Sequence, residues 1–246
     1  MTLLHGRRGI CFGVANHRSI AWHIAKALSQ EGAALTLVAQ NPSFERRVAP
    51  LAEEIGAEVR YCDVTEDADI EKVFDGLELD FLVHSLAFAS KESLHAPLYA
   101  LSRSDFLTAF NVSVYSFLAL TRAALDHFAP NASVLTLSYL GADRVLPGYD
   151  VMAPAKAALE CSVKYLAHEL GPKNIRVNAI SAGPMRTLAS SAVPRIHEAL
   201  AAYDSAPLSG GLSGDALGSA AAFLISDLSR AMTGQILPVD MGLHLR

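Results

Sequence analysis

Seven short apolar runs, separated by longer amphipathic segments, constrain this chain more than any other feature. Residues 9–13, 34–39, 59–62, 80–85, 133–137, 175–180 and 235–239 each have the length and apolar content of a strand buried on both faces. Parallel strands need long crossovers, so the segments between these runs predict helices on both faces of one sheet. The first crossover is the clearest: Ile20, Ile24, Ala27 and Leu28 recur at helical spacing, with Ser19 placed as N-cap and Gly32 as the stop. The pattern predicts an α/β doubly wound Rossmann fold with a mainly seven-stranded parallel sheet. At 246 residues and 51% hydrophobic side chains the chain supports one large core, so residues 1–246 are expected to form a single domain.

One stretch breaks the alternation. Residues 185–214 carry a helical pattern around 196–203 among Ser, Ala, Pro and Gly, after a strand end where an open α/β sheet binds its ligand. This segment is expected to be a late helical substrate lid, with 209–215, SGGLSGD, as its mobile hinge.

Charge and composition exclude several functions. A net charge of −5 with both signs interspersed argues against a nucleic-acid partner. Cys11, Cys62 and Cys161 lack metal-ligand spacing and sit in apolar patterns, so they are expected to be reduced core residues in a reducing compartment. The nine histidines show no ligand spacing either, and no metal site is expected. The first eight residues are too short and charged for a signal peptide, and no run approaches a membrane span. A cytoplasmic protein without a membrane partner is the expectation.

The strand ends predict a dinucleotide site. Gly13 closes the first strand and Ser19 opens the first helix, so the loop between them can offer backbone N–H groups and a helix N-terminus to a pyrophosphate. Only one glycine is present, in place of the three-glycine fingerprint. Gln40 ends the second strand, where an Asp or Glu usually takes the adenosine ribose, and neither Gln40 nor Asn41 supplies a cation for a 2′-phosphate. With Arg46 and Arg47 nearby, the reading still leans to NADH over NADPH. Asp63 and Val64, after the third strand, are placed to flank the adenine, although such an Asp also begins turns.

Chemistry concentrates in LSYLGADRVLPGYDVMAPAKAALECSVK, residues 137–164, where Tyr139, Tyr149 and Lys156 are separated by ten and seven positions. Pro154 is tolerated only in a helix's first turn, so the helix bearing Lys156 should begin near Val151 or Met152, with Tyr149 on the turn before it. Ketone-reducing short-chain enzymes place a Tyr four residues before the Lys and a Ser thirteen before that Tyr. Here those positions hold Met152 and Tyr139.

With GVANHRSIAW, HSLAFA, NVSVYSF, LSYLGA and RVNAISAGPMRTLA, the chain resembles bacterial enoyl-acyl-carrier-protein reductases of the NADH-dependent type, in the short-chain dehydrogenase/reductase superfamily. The resemblance spans nearly the whole chain. It implies hydride transfer from NADH to the β-carbon of a trans-2-enoyl thioester in fatty acid biosynthesis. It implies that Tyr149 donates to the thioester oxygen, that Lys156 holds the nicotinamide ribose, and that Tyr139 lines the acyl pocket. Cofactor roles are implied for Gly13, Ser19, Ile20, Gln40, Asp63, Val64, Leu86, Lys156, Met185, Arg186, Thr187, Leu188 and Ala189. Ala89 is implied to touch substrate, and a homotetramer is implied as the assembly.

The pattern also departs from the family. Ala87 replaces a usual Gly, and the lid carries Pro194, His197 and Glu198 where related enzymes have basic residues. An acidic carrier protein would dock on a basic rim, so a paralogous enoyl reductase acting on a coenzyme A thioester or a specialised-metabolism substrate stays open beside one acting on acyl carrier protein. A non-catalytic nicotinamide-binding Rossmann protein is the third alternative, since fold alone does not fix function.

Overall fold

In the computed structural model, which describes residues 2–246, the seven apolar runs form one parallel sheet. Its strands are β1 (Arg8–Phe12), β2 (Ala34–Ala39), β3 (Glu58–Tyr61), β4 (Leu79–His84), β5 (Phe128–Tyr139), β6 (Arg176–Ala182) and β7 (Ile236–Val239). Their order is β3-β2-β1-β4-β5-β6-β7. The chain builds outward from β1 to β3 and then returns to place β4 on the other side of β1, so a crevice opens at the carboxyl ends of β1 and β4. That reversal decides where a ligand can bind.

Alternation along β1 shows how the sheet divides two cores. Cys11 faces a cluster with Ile24, Leu28, Leu37, Leu217 and Leu224, while Ile10 and Phe12 face Phe74, Phe117, Leu120, Leu159 and Val163. The first cluster is built on α1 (Ile20–Gln30), α2 (Glu45–Ile55) and a helix near the C-terminus described below. The second lies under α3 (Asp67–Lys72) and two later helices. Between β4 and β5 run α4 (Lys91–His95), α5 (Arg103–Phe110) and α6 (Ser116–Ala124), the last two joined by one π-helical turn at Asn111–Tyr115. After β5 comes α7 (Met152–Leu170), and Pro154 occupies its first turn as the sequence requires.

Six strands lie within two residues of their predicted positions. β5 is the exception, beginning at Phe128 instead of Ser133. Pro130 and Asn131 read as breakers, and Asn131 does adopt a left-handed φ of 64°. The strand passes through them because its register against β4 shifts between Leu79 and Phe81, absorbing the irregularity. Cys11 and Cys62 are buried as expected, but Cys161 is exposed. An apolar helical pattern had placed it in the core, whereas it lies on the outward face of α7.

After β6, the segment 185–214 contains α8 (Ile196–Ala201) and a 3-10 turn at Ala202–Ser205, and the Tyr203 hydroxyl donates to the Pro184 carbonyl at 3.0 Å. The expected hinge at 209–215 needs correction. Gly210 and Gly211 do take left-handed φ values, but Gly214 already opens α9 (Gly214–Ile225), capped by Ser213. There Gly214 and Gly218 let α9 press onto α1: a Cβ at Gly218 would lie 2.5 Å from Ala27 Cβ and 3.0 Å from the His23 carbonyl. These glycines serve helix packing. Gly218→Val is therefore expected to lower unfolding free energy by about 2–3 kcal/mol through overpacking, measured by denaturant titration. An unchanged midpoint would mean that α1 and α9 separate easily.

Among the described residues, no helix is long and apolar enough to cross a membrane.

Candidate active site

The carboxyl ends of β1 to β3 gather the residues expected to hold a dinucleotide. Gly13 follows β1 with φ +100°, and a Cβ there would collide with the Ser85 carbonyl oxygen after β4. Only glycine allows the loop to sit so low in the crevice. Ser19 occupies the N-cap position of α1, but its side chain does not cap the helix. Its hydroxyl instead accepts from Ala15 N–H and Asn16 N–H, each at 3.1 Å, which folds the loop back on itself. The amides of Ile20 and Ala21 meet no acceptor among the described residues, so they are free to bind an anion.

Gln40 and Asp63 meet across β2 and β3, Gln40 Nε2 donating to Asp63 Oδ2 at 3.0 Å. Asp63 also accepts from Thr65 N–H and the Thr65 hydroxyl, which hold its carboxyl below the ordinary range. Asp63 is thus both a turn former and a fixed carboxylate at the crevice wall. Val64 is buried beside it. A pyrophosphate on the free amides and an adenosine near Gln40 and Asp63 fit this arrangement.

Past the end of β4, Leu86 packs on the second core cluster. Ala89 and Tyr149 pack against the same buried group, Leu94, Val114, Val151, Met152 and Ala155. Tyr139 ends β5, and its ring meets that of Tyr149 edge-on with centroids 4.7 Å apart. Gly141 makes this possible, because a Cβ there would run into the Tyr149 ring. Neither tyrosine hydroxyl hydrogen-bonds to another described residue. Burial pushes both phenols above their ordinary value, Tyr149 with a further contribution from Tyr139, so both stay protonated donors at neutral pH.

Lys156 is 5% exposed, and its Nζ donates to the Leu137 carbonyl at 2.7 Å. Burial lowers it to about 8, with Glu160 acting in the opposite sense. One ammonium proton is spent on β5, and two remain for a ligand.

Beyond β6, Met185 packs on the first core cluster, while Arg186, Leu188 and Ala189 are exposed. Thr187 was expected to face a nicotinamide amide. Here its Oγ1 accepts from Ser190 N–H at 3.0 Å, and Thr187 N–H donates to Ser190 Oγ at 2.8 Å, a reciprocal pair that closes the turn leading into Ser190–Ala192. The same segment reaches the tyrosine: Pro194 lies directly against Gly148, the neighbour of Tyr149.

Several site-building residues escaped the sequence reading. His84 ends β4 fully buried, hydrogen-bonded at 2.8 Å to both Thr136 Oγ1 and Ser116 Oγ. The Ser116 hydroxyl also donates to the Val112 carbonyl at 2.6 Å, and the Thr136 hydroxyl to the His84 carbonyl at 3.2 Å, so both partners of the ring are tied to backbone. Burial, then the nearby Lys156 charge, push His84 down to about 3, leaving it neutral. Ser113, in the π turn, accepts from Phe88 N–H at 3.0 Å and donates to the Phe88 carbonyl at 3.3 Å, pinning the loop that carries Ala87 and Ala89. HSLAFA and NVSVYSF contain these residues, but nothing in their spacing says that they meet.

A switch-point crevice with free helix amides, Tyr139 at the end of β5 against Tyr149, and a buried Lys156 of α7 bonded to β5 define a nicotinamide-dependent oxidoreductase of the short-chain dehydrogenase/reductase superfamily. The family model described as Enoyl-(Acyl carrier protein) reductase matches residues 13–244. Enoyl-[acyl-carrier-protein] reductase [NADH] 1 of Rhizobium meliloti is 46% identical over 98% of this chain and 92% of its own length. The NADH enoyl-[acyl-carrier-protein] reductase of Escherichia coli is 41% identical, covering 100% of this chain and 97% of its own. The solved Bacillus cereus enoyl-acyl carrier protein reductase with NADP+ and indole naphthyridinone superposes with a TM-score of 0.97 at 40% identity, covering 100% and 99% of the two chains. The Anaplasma phagocytophilum reductase in complex with NAD gives 0.95 at 43% identity, covering 100% and 96%. The chain belongs to the enoyl-acyl-carrier-protein reductase family.

Proposed function

We propose that this protein reduces trans-2-enoyl thioesters on acyl carrier protein with NADH, as a step of fatty acid biosynthesis. The observation that carries the reading is the pair of protonated, unbonded tyrosine hydroxyls at the carboxyl end of β5, where the buried Lys156 of α7 is tied to the Leu137 carbonyl. When bound, NADH would supply a hydride to the β-carbon; the carbon–carbon π pair then shifts to the bond between the α-carbon and the carbonyl carbon, and the carbonyl π pair moves onto the thioester oxygen as an enolate.

Tyr149 donates its hydroxyl hydrogen bond to that oxygen as the enolate charge grows. Tyr139 lies edge-on to Tyr149 and walls the acyl pocket opposite Ala89. Lys156 uses its remaining protons to hold the nicotinamide ribose, and its charge lies near the developing oxyanion. Gly13, Ser19 and Ile20 shape the pyrophosphate loop, Gln40, Asp63 and Val64 take the adenosine end, and Leu86 borders the nicotinamide. Residues 185–189, Met185 to Ala189, close over the nicotinamide once Thr187 releases Ser190. The α-carbon takes a proton from solvent, which completes the saturated thioester.

The whole chain works as one Rossmann unit, with residues 185–214 as its lid. Contact of Pro194 with Gly148 supports a lid that senses the position of Tyr149. A homotetramer is the proposed assembly, and the protein is placed in the cytoplasm. Self-association is supported by exposed Leu107, Tyr115 and Tyr165 beside a groove of about 430 Å³ lined by Leu118, Ala158 and Leu166 on α6 and α7.

The test is NADH and NADPH oxidation followed by absorbance, with matched enoyl thioesters on acyl carrier protein and on coenzyme A. NADH with the carrier-protein substrate is expected to give the highest kcat/KM. Met152 stands where ketone reducers carry their proton donor, so 3-oxoacyl thioesters should turn over at least ~100-fold more slowly, the typical contribution of general acid catalysis. Comparable rates on both substrate types would defeat the enoyl assignment.

A further inference from the structure

One turn beyond Lys156 on α7 stands a carboxylate. Lys156 and Glu160 are four residues apart, so their side chains leave the same face of the helix. Adjacent residues of β5 receive them. Lys156 Nζ donates to the Leu137 carbonyl at 2.7 Å, and the Ser138 hydroxyl donates to Glu160 Oε1 at 2.5 Å. Ser138 is buried and Glu160 half-buried, so the Ser138 bond fixes the carboxylate against the end of β5 instead of leaving it free in solvent.

We infer that Glu160, held by Ser138, is a positioning residue that keeps the Lys156 ammonium charged and aimed along the end of β5. The inference rests on the proposed role of Lys156. Other groups around the lysine supply no negative charge at neutral pH: His84 arrives from β4 neutral, and Tyr139 and Tyr149 arrive from β5 and the turn before α7 as protonated phenols. Glu160 is faced by Lys164 from its own helix and by Asp143 from the turn after β5. A carboxylate between two lysines, tied to the strand by a serine, offsets the desolvation of the buried one without consuming its protons in a salt bridge.

The sign follows from the groups themselves. Burial lowers Lys156 to about 8 and Glu160 resists that lowering, so the ammonium is present below this pH and lost above it. Removing the carboxylate's charge moves the loss to lower pH. A bridge that only fastens α7 to β5 would change stability and leave the lysine's titration alone.

The experiment compares wild type, Glu160→Gln and Glu160→Asp. The first readout is the titration of Lys156 in the ligand-free protein, followed by the NMR shift of its 13C-labelled ε-carbon and assigned with Lys156→Met. The second is the pH profile of kcat/KM with NADH and an enoyl thioester. Glu160→Gln is expected to lower the titration midpoint by about one pH unit and to carry the alkaline limb of the profile down with it. Glu160→Asp keeps the charge and should restore at least half of the shift. Ser138→Ala, which removes the tether alone, should shift the midpoint in the direction of Glu160→Gln by a smaller amount, and serves if that variant does not fold. A midpoint unchanged in both Glu160→Gln and Ser138→Ala overturns the inference. Failure of wild type to oxidise NADH with any enoyl thioester overturns the functional reading instead, and the ligand-free titration still decides the role of Glu160.

Discussion

Tyr149→Phe is expected to lower kcat on an enoyl thioester by about 100- to 1,000-fold, the usual cost of removing one oxyanion donor. The ring itself should stay in place. It is held edge-on against Tyr139 and close over Gly141, and those contacts do not involve the hydroxyl. NADH affinity, measured by fluorescence titration, should therefore change less than about threefold, because the lost hydrogen bond matters mainly as charge develops. Burial keeps the phenol protonated, so wild-type activity should show no alkaline loss from Tyr149 through the ordinary tyrosine range. Retained turnover in Tyr149→Phe would transfer the donor role to Tyr139, whose hydroxyl is equally free and whose ring centroid is 4.7 Å away.

Gly13→Ala is expected to weaken NADH binding by at least ~100-fold, from two costs acting together. An alanine at φ +100° is strained by about 1–2 kcal/mol, and forcing its methyl group into the Ser85 carbonyl adds about 1–3 kcal/mol of overpacking. The loop can escape only by lifting from the crevice, which moves the free amides of Ile20 and Ala21 away from the pyrophosphate. Since each 1.4 kcal/mol is tenfold, a few kcal/mol suffice for the predicted loss. The dissociation constant and the thermal midpoint should be measured together. If affinity is unchanged, the loop does not carry the cofactor.

Much of this arrangement was legible in the chain before any coordinates. Strand positions followed from apolar runs, because a strand buried on both faces has little freedom in composition. Pro154 located the start of α7 through a local steric rule, and it left Tyr149 on the preceding turn. The Tyr139, Tyr149 and Lys156 set was readable because a strand, a turn and a helix in immediate succession hold its members near one another. Other positions misled. Ser19 is a good cap by residue type, yet its hydroxyl folds a loop, since a hydroxyl bonds whichever amides the backbone brings to it. Cys161 looked like core because its helix is apolar on more than one side.

The sequence by itself determined the order of elements, the parallel sheet they must form and the placing of Tyr149 on the turn before α7, because each rests on periodicity or short-range sterics. Only the tertiary structure decided which distant residues meet. Gly13 under Ser85, Gln40 on Asp63, Ser113 on Phe88, His84 between Thr136 and Ser116, and Glu160 on Ser138 are contacts between elements. Each depends on how the sheet reverses at β1 and β4 and how the helices settle on it, which a local pattern does not encode.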